Sequence, residues 1–176
     1  MLNKQKMNQR GFTLIELLIV IVIIGVLAAI VFVALDPATR FQDARDARRS
    51  ADSSEVLSAV KIDQVDNGGS YHANVTALTA GEVYMIGTGM ALGCDDNNAQ
   101  CDTNVTSDTH CVDAAFLVTE GYLGEIPVSP AGAVTWDDGS ADGEEGTGYT
   151  IQSDASGTLT VRACESENTT EISNSR

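Results

Sequence analysis

A single carboxylate lies at the start of a membrane-length apolar segment, and its position could support specific chemistry. Glu16 precedes nineteen uncharged residues, Leu17–Leu35. A carboxylate in a bilayer costs roughly 2.5–3.5 kcal/mol on insertion scales, so Glu16 requires a compensating partner. Cleavage between Gly11 and Phe12 would create a cation nearby, the α-ammonium of Phe12. We expect this ammonium to pair with Glu16 of a neighbouring chain, because each group relieves the other's desolvation.

The residues before this segment set its orientation. Residues 1–10 carry three basic side chains, Lys4, Lys6 and Arg10, and no acidic one. Positive charge before a hydrophobic run keeps that end in the cytoplasm, and the run spans about 30 Å, one bilayer core. A secretory signal is cut after its apolar region, whereas here the cut precedes it. We therefore predict one inner-membrane span, embedded in lipid before assembly, with the remaining chain outside the cytoplasm.

Two adjacent runs of this segment match a known pattern. Residues 11–20 read Gly-Phe-Thr-Leu-Ile-Glu-Leu-Leu-Ile-Val, and residues 23–30 read Ile-Ile-Gly-Val-Leu-Ala-Ala-Ile. This sequence closely resembles the N-terminus of type IV pilins and type II secretion pseudopilins. The resemblance implies that a prepilin peptidase cuts after Gly11 and methylates Phe12, and that Glu16 becomes the fifth mature residue. It also implies assembly into a helical homopolymer through an inner-membrane assembly platform.

The apolar helix departs from the family pattern at one position. These proteins commonly carry a proline eight residues beyond the position of Gly25, where this chain has Val33, and its first proline is Pro37. We expect a kink at Asp36-Pro37, because proline removes an internal hydrogen bond and disfavours helix at the preceding residue. Otherwise we predict one helix over 12–66, which Asn67-Gly68-Gly69 would end.

The second half of this helix has an amphipathic pattern. Small and aliphatic residues recur at spacings of three and four: Ala44, Ala47, Ala51, Ser58, Ile62 and Val65. Charges of both signs lie at neighbouring helical positions. Two interpretations of the arginines remain open, a solvated helix face or contacts with acidic heads of adjacent subunits. The residues concerned are Arg40, Arg45, Arg48 and Arg49.

The sequence of the remaining chain predicts a small head that contains both helix and strands. Residues 70–112 suggest an excursion loop with a short helix or strand near Glu82–Ile86, and 113–123 suggest a short helix. Strand patterns occupy Ala133–Trp136, Gly148–Ile151 and Thr158–Ala163, the last with Leu159, Val161 and Ala163 on one side. Residues 117–130, Leu-Val-Thr-Glu-Gly-Tyr-Leu-Gly-Glu-Ile-Pro-Val-Ser-Pro, also resemble the segment before the sheet in pseudopilins and short pilins.

The predicted fold class is therefore α+β and pilin-like. The first half of a long N-terminal helix spans the membrane, and its second half packs against a small antiparallel β-sheet. Four segments follow from this prediction: a leader at 1–11, a transmembrane and filament-core helix at 12–36, an amphipathic helix at 37–67 and a globular acidic head at 68–176.

Charge excludes several classes of function. The chain has a net charge of −15, and nineteen of its 25 acidic residues lie from Asp63 onward. Such a surface repels phosphates, so we expect no direct nucleic-acid binding. No nucleophile–base pair, phosphate loop or metalloprotease helix appears, and the clustered carboxylates have no apolar pocket to separate their pKa values. We predict that the protein is not an enzyme.

Four cysteines lie in the acidic part: Cys94, Cys101, Cys111 and Cys164. An even number in an exported segment predicts two disulfides, for which three connectivities exist. We prefer Cys94–Cys101, a small loop, together with Cys111–Cys164, which would tie the chain end to the body. A zinc site using His110 beside Cys111 is the alternative, but the spacing matches no common zinc pattern.

Two acidic turns are candidate calcium sites, because calcium prefers six to eight oxygen ligands in flexible geometry. The first turn lies between the first two predicted strands; its resemblance to the sheet loop that holds calcium in major pseudopilins supports a calcium site, and a plain solvated acidic turn is the favoured alternative. The second surrounds the first two cysteines. The first set comprises Asp137, Asp138, Asp142, Glu144 and Glu145, and the second Asp95, Asp96, Asn97, Asn98 and Asp102.

Three Asn-x-Thr triplets, at Asn74, Asn104 and Asn168, match the N-glycosylation pattern. Chance matches are expected in a chain rich in Asn and Thr, and the bacterial type of N-terminus argues against modification.

The combined features predict a structural subunit of a type IV pilus-like filament, located in an extracellular fibre or a periplasmic pseudopilus after assembly. The alternatives are a major pseudopilin of a type II secretion system, or a membrane-anchored head that binds calcium or another ligand without polymerising.

Overall fold

The apolar segment forms a helix that is exposed along its whole length. In a computed structural model, which describes residues 11–87, 97–136 and 146–176, helix α1 is Leu14–Leu35 and helix α2 is Pro37–Asp66. No residue of α1 is buried. Among the described residues, one helical stretch, Leu14–Asp66, is long and apolar enough to cross a membrane. The predicted N-terminal helix is therefore present, and its apolar surface is uncovered.

The two helices are separated at Asp36. Its backbone has φ 37° and ψ 70°, the left-handed conformation that Asp tolerates better than most residues. Asp36 then accepts a hydrogen bond from Oγ1 of Thr39 (2.7 Å) at the beginning of α2, and Pro37 occupies the first helical position, where a missing N–H costs little. The interruption predicted at Asp36-Pro37 is confirmed. Met1–Arg40 and Phe41–Arg176 form two separate compact units.

Helix α2 packs on the head through a face different from the predicted one. Its buried residues recur at helical spacing: Asp46, Arg49, Ser53, Val56, Leu57, Ala59, Val60 and Asp63. The small and aliphatic residues that recur along the sequence lie mostly in solvent instead, and Ile62 and Val65 are 51% and 74% exposed. Gly68 and Gly69 end the helix with positive φ values, as expected, and the Gly69 N–H donates to the Gln64 carbonyl (2.8 Å).

A five-stranded sheet forms the other layer of the head. Its strands are β1 (Val83–Gly87), β2 (Cys111–Asp113), β3 (Gly146–Ser153), β4 (Leu159–Ala163) and β5 (Ser173–Ser175). Their spatial order is β2-β1-β3-β4-β5. The β1–β2 pair is parallel, whereas the other pairs are antiparallel. The α+β class is confirmed, but the sheet is mixed, and the prediction of a purely antiparallel sheet was wrong.

Each face of the sheet carries its own apolar cluster. Successive strand residues point to opposite faces, so Ile86 joins the cluster beneath α2 while Met85 joins the other. The first cluster includes Val56, Leu57 and Val60 of α2. The alternation predicted for β4 is confirmed, because its odd-numbered residues are buried and lie in the first cluster.

Several short elements differ from their predictions. The helix expected over 113–123 is reduced to α4 (Ala115–Thr119), and another short helix, α3, occupies Ala73–Thr76. Residues 133–136 form no strand; Trp136 instead fills the second cluster beside Met85. A 3-10 turn lies at Asn98–Gln100. These differences reflect side-chain packing between distant parts of the chain, which local periodicity does not encode.

Candidate processing and assembly site

The start of α1 holds Glu16 in a defined position. Thr13 is the N-cap, and its Oγ1 accepts a hydrogen bond from the Glu16 N–H (3.2 Å). The Thr13 backbone N–H donates to Oε2 of Glu16 (2.8 Å), as does the Thr13 hydroxyl (2.8 Å). This reciprocal pattern is a capping box, which satisfies N–H groups that the first helical turn leaves unpaired. Glu16 therefore has a structural role within its own chain, which the sequence analysis missed.

The capping box leaves part of the Glu16 carboxylate available. Both donors bind Oε2, and across the described residues Oε1 accepts no hydrogen bond. Phe12 lies one residue before the cap and is 86% exposed. A cation from another chain could bind Oε1 without displacing Thr13. The sequence signal for this arrangement was present, since Thr13 and Glu16 are spaced as in the capping-box pattern.

A buried arginine holds α2 on the head. Arg49 is fully buried, and its Nη1 donates to Asp46 (2.9 Å) and Glu167 (2.7 Å). Its Nη2 donates to the Pro130 carbonyl (3.0 Å) and lies 3.4 Å from Oε2 of Glu165. We call Arg49, Asp46, Glu165 and Glu167 the Arg49 cluster. Burying these charges is tolerable only because each has several partners.

The Arg49 cluster fixes the chain that follows β4. The Asp46 carboxylate accepts the backbone N–H groups of Glu167 (3.1 Å) and Asn168 (2.9 Å). Arg45 binds both carboxylate oxygens of Glu167. The Arg45 guanidinium, followed by that of Arg49, lowers the pKa of the Glu167 carboxyl to about 2. This carboxyl therefore stays ionised over most of the acidic range.

The arginines of α2 do not share one role. Arg45 and Arg49 are both bound within their own head, and Arg49 is fully buried, so neither earlier interpretation, solvated face or contact with another subunit, holds for Arg49. Arg48 is 64% exposed in its side chain and lies 3.6 Å from Asp52. Arg40 is also exposed. Sequence analysis missed the internal cluster because Glu165 and Glu167 lie more than 100 residues from Arg49, and no local spacing encodes such contacts.

The preferred disulfide pairing was wrong. The structure joins Cys101 to Cys164, which excludes both preferred bridges. Cys164 follows β4 on the face away from α2, and its carbonyl accepts the Asp102 N–H (2.6 Å). Cys111 lies on β2, three strand positions from β4, or roughly 14 Å at the usual strand spacing. A disulfide needs Cα atoms within about 7 Å. Cys111 is itself disulfide-bonded, and Cys94 lies outside the described residues.

Calcium binding stays a prediction. All residues of the first candidate turn lie outside the described residues, as do Asp95 and Asp96 of the second. Of the remainder, Asn98 is buried and Asp102 accepts the Ser166 hydroxyl. Within 11–87, 97–136 and 146–176, no group of three or more His, Cys, Asp or Glu side chains could hold a metal. The alternative zinc site is not supported, because His110 binds Glu82 (2.8 Å) and Cys111 is oxidised.

Comparison with known families decides the nature of the N-terminal segment. The family model described as the prokaryotic N-terminal methylation motif matches residues 6–32. The chain carries the prepilin-type signal of type IV pilins and pseudopilins. The match covers residues 6–11 of the predicted leader, with Gly11 among them, and then Phe12, Glu16 and most of α1. No curated protein and no solved structure matches the chain.

The prepilin-type signal supports a type IV pilin-like or pseudopilin subunit. It implies processing by a prepilin peptidase and assembly into a pilus-like filament. Together with the exposed apolar helix it indicates membrane anchoring before assembly. The family is one of structural subunits rather than enzymes.

Proposed function

We propose that this chain is the structural subunit of a type IV pilus-like filament. Prepilin peptidase cleaves it after Gly11 and methylates Phe12, while α1 anchors it in the inner membrane with the head outside the cytoplasm. The observation that carries the proposal is that none of the 22 residues of α1 is buried, although the helix is almost entirely apolar. Before assembly lipid covers this surface, and afterwards the α1 helices of neighbouring subunits replace the lipid.

The exchange of lipid for protein needs a specific attraction. Lipid tails are as apolar as leucine side chains, so the hydrophobic effect contributes little when helices associate from a bilayer. Close packing and a buried ion pair must supply the driving force and the register. The free Oε1 of Glu16 supports this proposal, because the Phe12 ammonium of a neighbouring subunit can bind there while Thr13 still holds Oε2.

The outer face of α2 extends the self-association surface. We define this outer face as Ala44, Ala47, Ala51, Ser58, Ile62 and Val65, which lie opposite the residues that pack on the sheet. Alanines allow close approach of another helix, and exposed aliphatic side chains favour burial in a contact. A second copy of this chain is the occupant that the prepilin-type signal favours.

A surface pilus and a secretion pseudopilus use the same assembly chemistry. The proposal of a surface pilus therefore requires abundant filaments outside the cell. A pseudopilin would remain with the membrane fraction after processing. A non-polymerising head that binds calcium or another ligand would be processed but would form no filament at any expression level.

Substitutions at Glu16 test the assembly role directly. Glu16→Gln keeps an oxygen that can accept the Thr13 N–H, since glutamine also serves in a capping box, but it removes the negative charge. Glu16→Ala removes both functions. We expect both variants to be inserted and cleaved, and both to give far fewer sheared filaments per processed subunit than the unmodified chain. Immunoblots of the filament and membrane fractions measure this ratio.

The two variants separate charge pairing from helix capping. Normal filament yield from Glu16→Gln, with a loss only in Glu16→Ala, would contradict the ion pair and leave Glu16 as a cap. Normal yield from both would contradict any role of this carboxylate in assembly. Gly11→Ala serves as the processing control, because it should retain the leader and give no filament.

A further inference from the structure

The three Asn-x-Thr triplets, which the sequence does not distinguish, differ in the structure. Two of their asparagine side chains are engaged in the fold. Nδ2 of Asn74, within α3, donates to the Asp113 carbonyl (2.8 Å). Nδ2 of Asn168 donates to the Asp43 carboxylate (2.8 Å), next to the Arg49 cluster. A sugar on either nitrogen would compete with these acceptors for the space around the amide, although Asn168, unlike Asn74, is itself exposed.

Asn104 has a different environment. Its side chain is exposed, as that of Asn168 is, but among the described residues its amide makes no hydrogen bond. The neighbouring Val105 is partly buried against the cluster of Met85 and Trp136. The backbone therefore directs Val105 inward and leaves the Asn104 side chain in solvent.

The segment that bears Asn104 is firmly held. The Cys101–Cys164 disulfide lies at one end, and the Thr103 hydroxyl donates to Glu171 (2.7 Å). At the other end the Thr106 N–H donates to the Val83 carbonyl (3.0 Å). These contacts place the segment on the sheet face opposite α2, because the cluster beneath it is the one that contains Met85 and Cys164. A group at Asn104 would thus lie away from the outer face of α2.

We propose that Asn104 is an acceptor site for an N-linked oligosaccharide. The donor is a lipid-diphosphate-linked oligosaccharide, and a membrane-bound oligosaccharyl transferase carries out the transfer outside the cytoplasm. A bond forms between Nδ2 of Asn104 and the anomeric carbon of the sugar, and the bond from that carbon to the lipid diphosphate breaks. The amide loses one proton to a base of the transferase, and the lipid diphosphate leaves with the bonding electron pair.

The third residue of the triplet also remains accessible in the fold. Oγ1 of Thr106 accepts the Val83 N–H (2.8 Å), but the hydroxyl keeps its own proton to donate, and Thr106 is exposed. A transferase outside the cytoplasm can therefore reach both Asn104 and Thr106 in the folded head, whereas the amides of Asn74 and Asn168 are already bonded to acceptors of the fold. Mature protein should carry the sugar at Asn104.

Glycopeptide mass spectrometry of the subunit from its native cells tests this inference. Membrane and filament fractions are both analysed, so the result does not depend on polymerisation. We expect the peptide that contains Asn104 to carry a sugar mass and the peptides of Asn74 and Asn168 to carry none. Asn104→Gln should lower the intact mass by that amount, whereas Asn74→Gln and Asn168→Gln should leave the sugar mass in place.

Thr106→Ala provides a second variant, because it keeps Asn104 but removes the hydroxyl that the acceptor pattern requires. Loss of the sugar from this variant supports the proposal. An unmodified Asn104 peptide as the only form of that peptide in both fractions overturns it. A sugar mass that persists in Asn104→Gln overturns it as well, since the modified residue would then lie elsewhere.

Discussion

At the residue scale, Arg49 carries a charge that must be balanced inside the head. Its guanidinium is fully buried and faces three carboxylates, and Nε also donates to the Ser129 hydroxyl (3.2 Å). Oε2 of Glu165 accepts the Trp136 indole N–H (3.2 Å), and its Oε1 accepts the Ala133 N–H (2.8 Å). Through Glu165, Arg49 therefore connects α2 to the segment that contains Ala133 and Trp136. Removing it leaves carboxylates buried without their cation.

Arg49→Met should destabilise the head by about 3–5 kcal/mol, the usual cost of breaking a buried ion pair from one side. Arg48→Met is the matched control on the same helix, since Arg48 is exposed and, among the described residues, forms one ion pair, with Asp52 at 3.6 Å. Its cost should stay within about 0–1 kcal/mol. Urea unfolding of the detergent-solubilised chain, followed by the fluorescence of Trp136, measures both. Equal losses for the two variants would contradict the role given to the Arg49 cluster.

The lowered pKa of the Glu167 carboxyl predicts that the head loses stability in acid. The Arg45 and Arg49 guanidinium groups hold the pKa of this carboxyl near 2 in the fold, below the ordinary value of 4.5. A lowered pKa means that the contribution of Glu167 is complete above about pH 4.5 and is lost as the pH falls from there toward 2. The free energy of unfolding should therefore decrease over that interval. Urea titrations at pH 6, 4 and 3 measure the decrease.

Glu167→Gln should make this pH dependence less steep, because the residue no longer titrates. Glu55→Gln, on an exposed part of α2, serves as the control and should keep the slope of the unmodified chain. An unchanged slope in Glu167→Gln would show that other carboxylates carry the acid response.

At the element scale, α2 has two apolar faces with different partners. One face packs on the sheet through Val56, Leu57 and Val60. The outer face is largely uncovered by the part of the head that the structure describes, and Ile62 and Val65 remain exposed there. The double substitution Ile62→Ser and Val65→Ser should lower the filament yield several-fold while leaving the thermal unfolding midpoint of the detergent-solubilised chain unchanged. Filament yield is measured by shearing and immunoblot.

Substitution on the buried face supplies the contrast. Val60→Ser should lower the unfolding midpoint, because it places a hydroxyl in an apolar cluster. A lowered midpoint for the outer-face variant would instead mean that Ile62 and Val65 stabilise the head itself. Normal filament yield with a normal midpoint would remove the outer face of α2 from the assembly contact.

The elements that sequence analysis predicted well are those with a local physical signal. The uncharged run made α1 predictable, Asp36-Pro37 marked its end, and the alternation of Leu159, Val161 and Ala163 indicated β4. The short strands β2 and β5 have three residues each, and they form because they pair with the longer strands β1 and β4. The buried face of α2 was predicted wrongly for a similar reason. Its outer face has the more regular apolar pattern, but its inner face includes Asp46 and Arg49, whose charges are satisfied by residues after β4, and Asp63, which accepts hydrogen bonds from Asn67 and His72 just after the helix.

At the scale of the whole molecule, charge opposes assembly and the N-terminal helix must overcome it. Cleavage after Gly11 removes three basic residues and no acidic one, so the formal net charge changes from −15 to −18. Heads of equal sign repel one another, and salt at physiological concentration screens this repulsion beyond about 8 Å. Attraction must therefore come from short-range contacts of α1, from the outer face of α2 and from the pair of Glu16 with the Phe12 ammonium.

The central claim is that this chain is cut after Gly11 and polymerises through the helix that then begins at Phe12. Mass spectrometry of filaments sheared from the native cells, reading the N-terminal peptide of this subunit, tests it most directly. The account predicts abundant subunit that starts at N-methylated Phe12. Processed subunit confined to the membrane fraction would contradict a surface pilus and favour a pseudopilin. An intact leader in assembled or membrane-bound protein would contradict the claim itself.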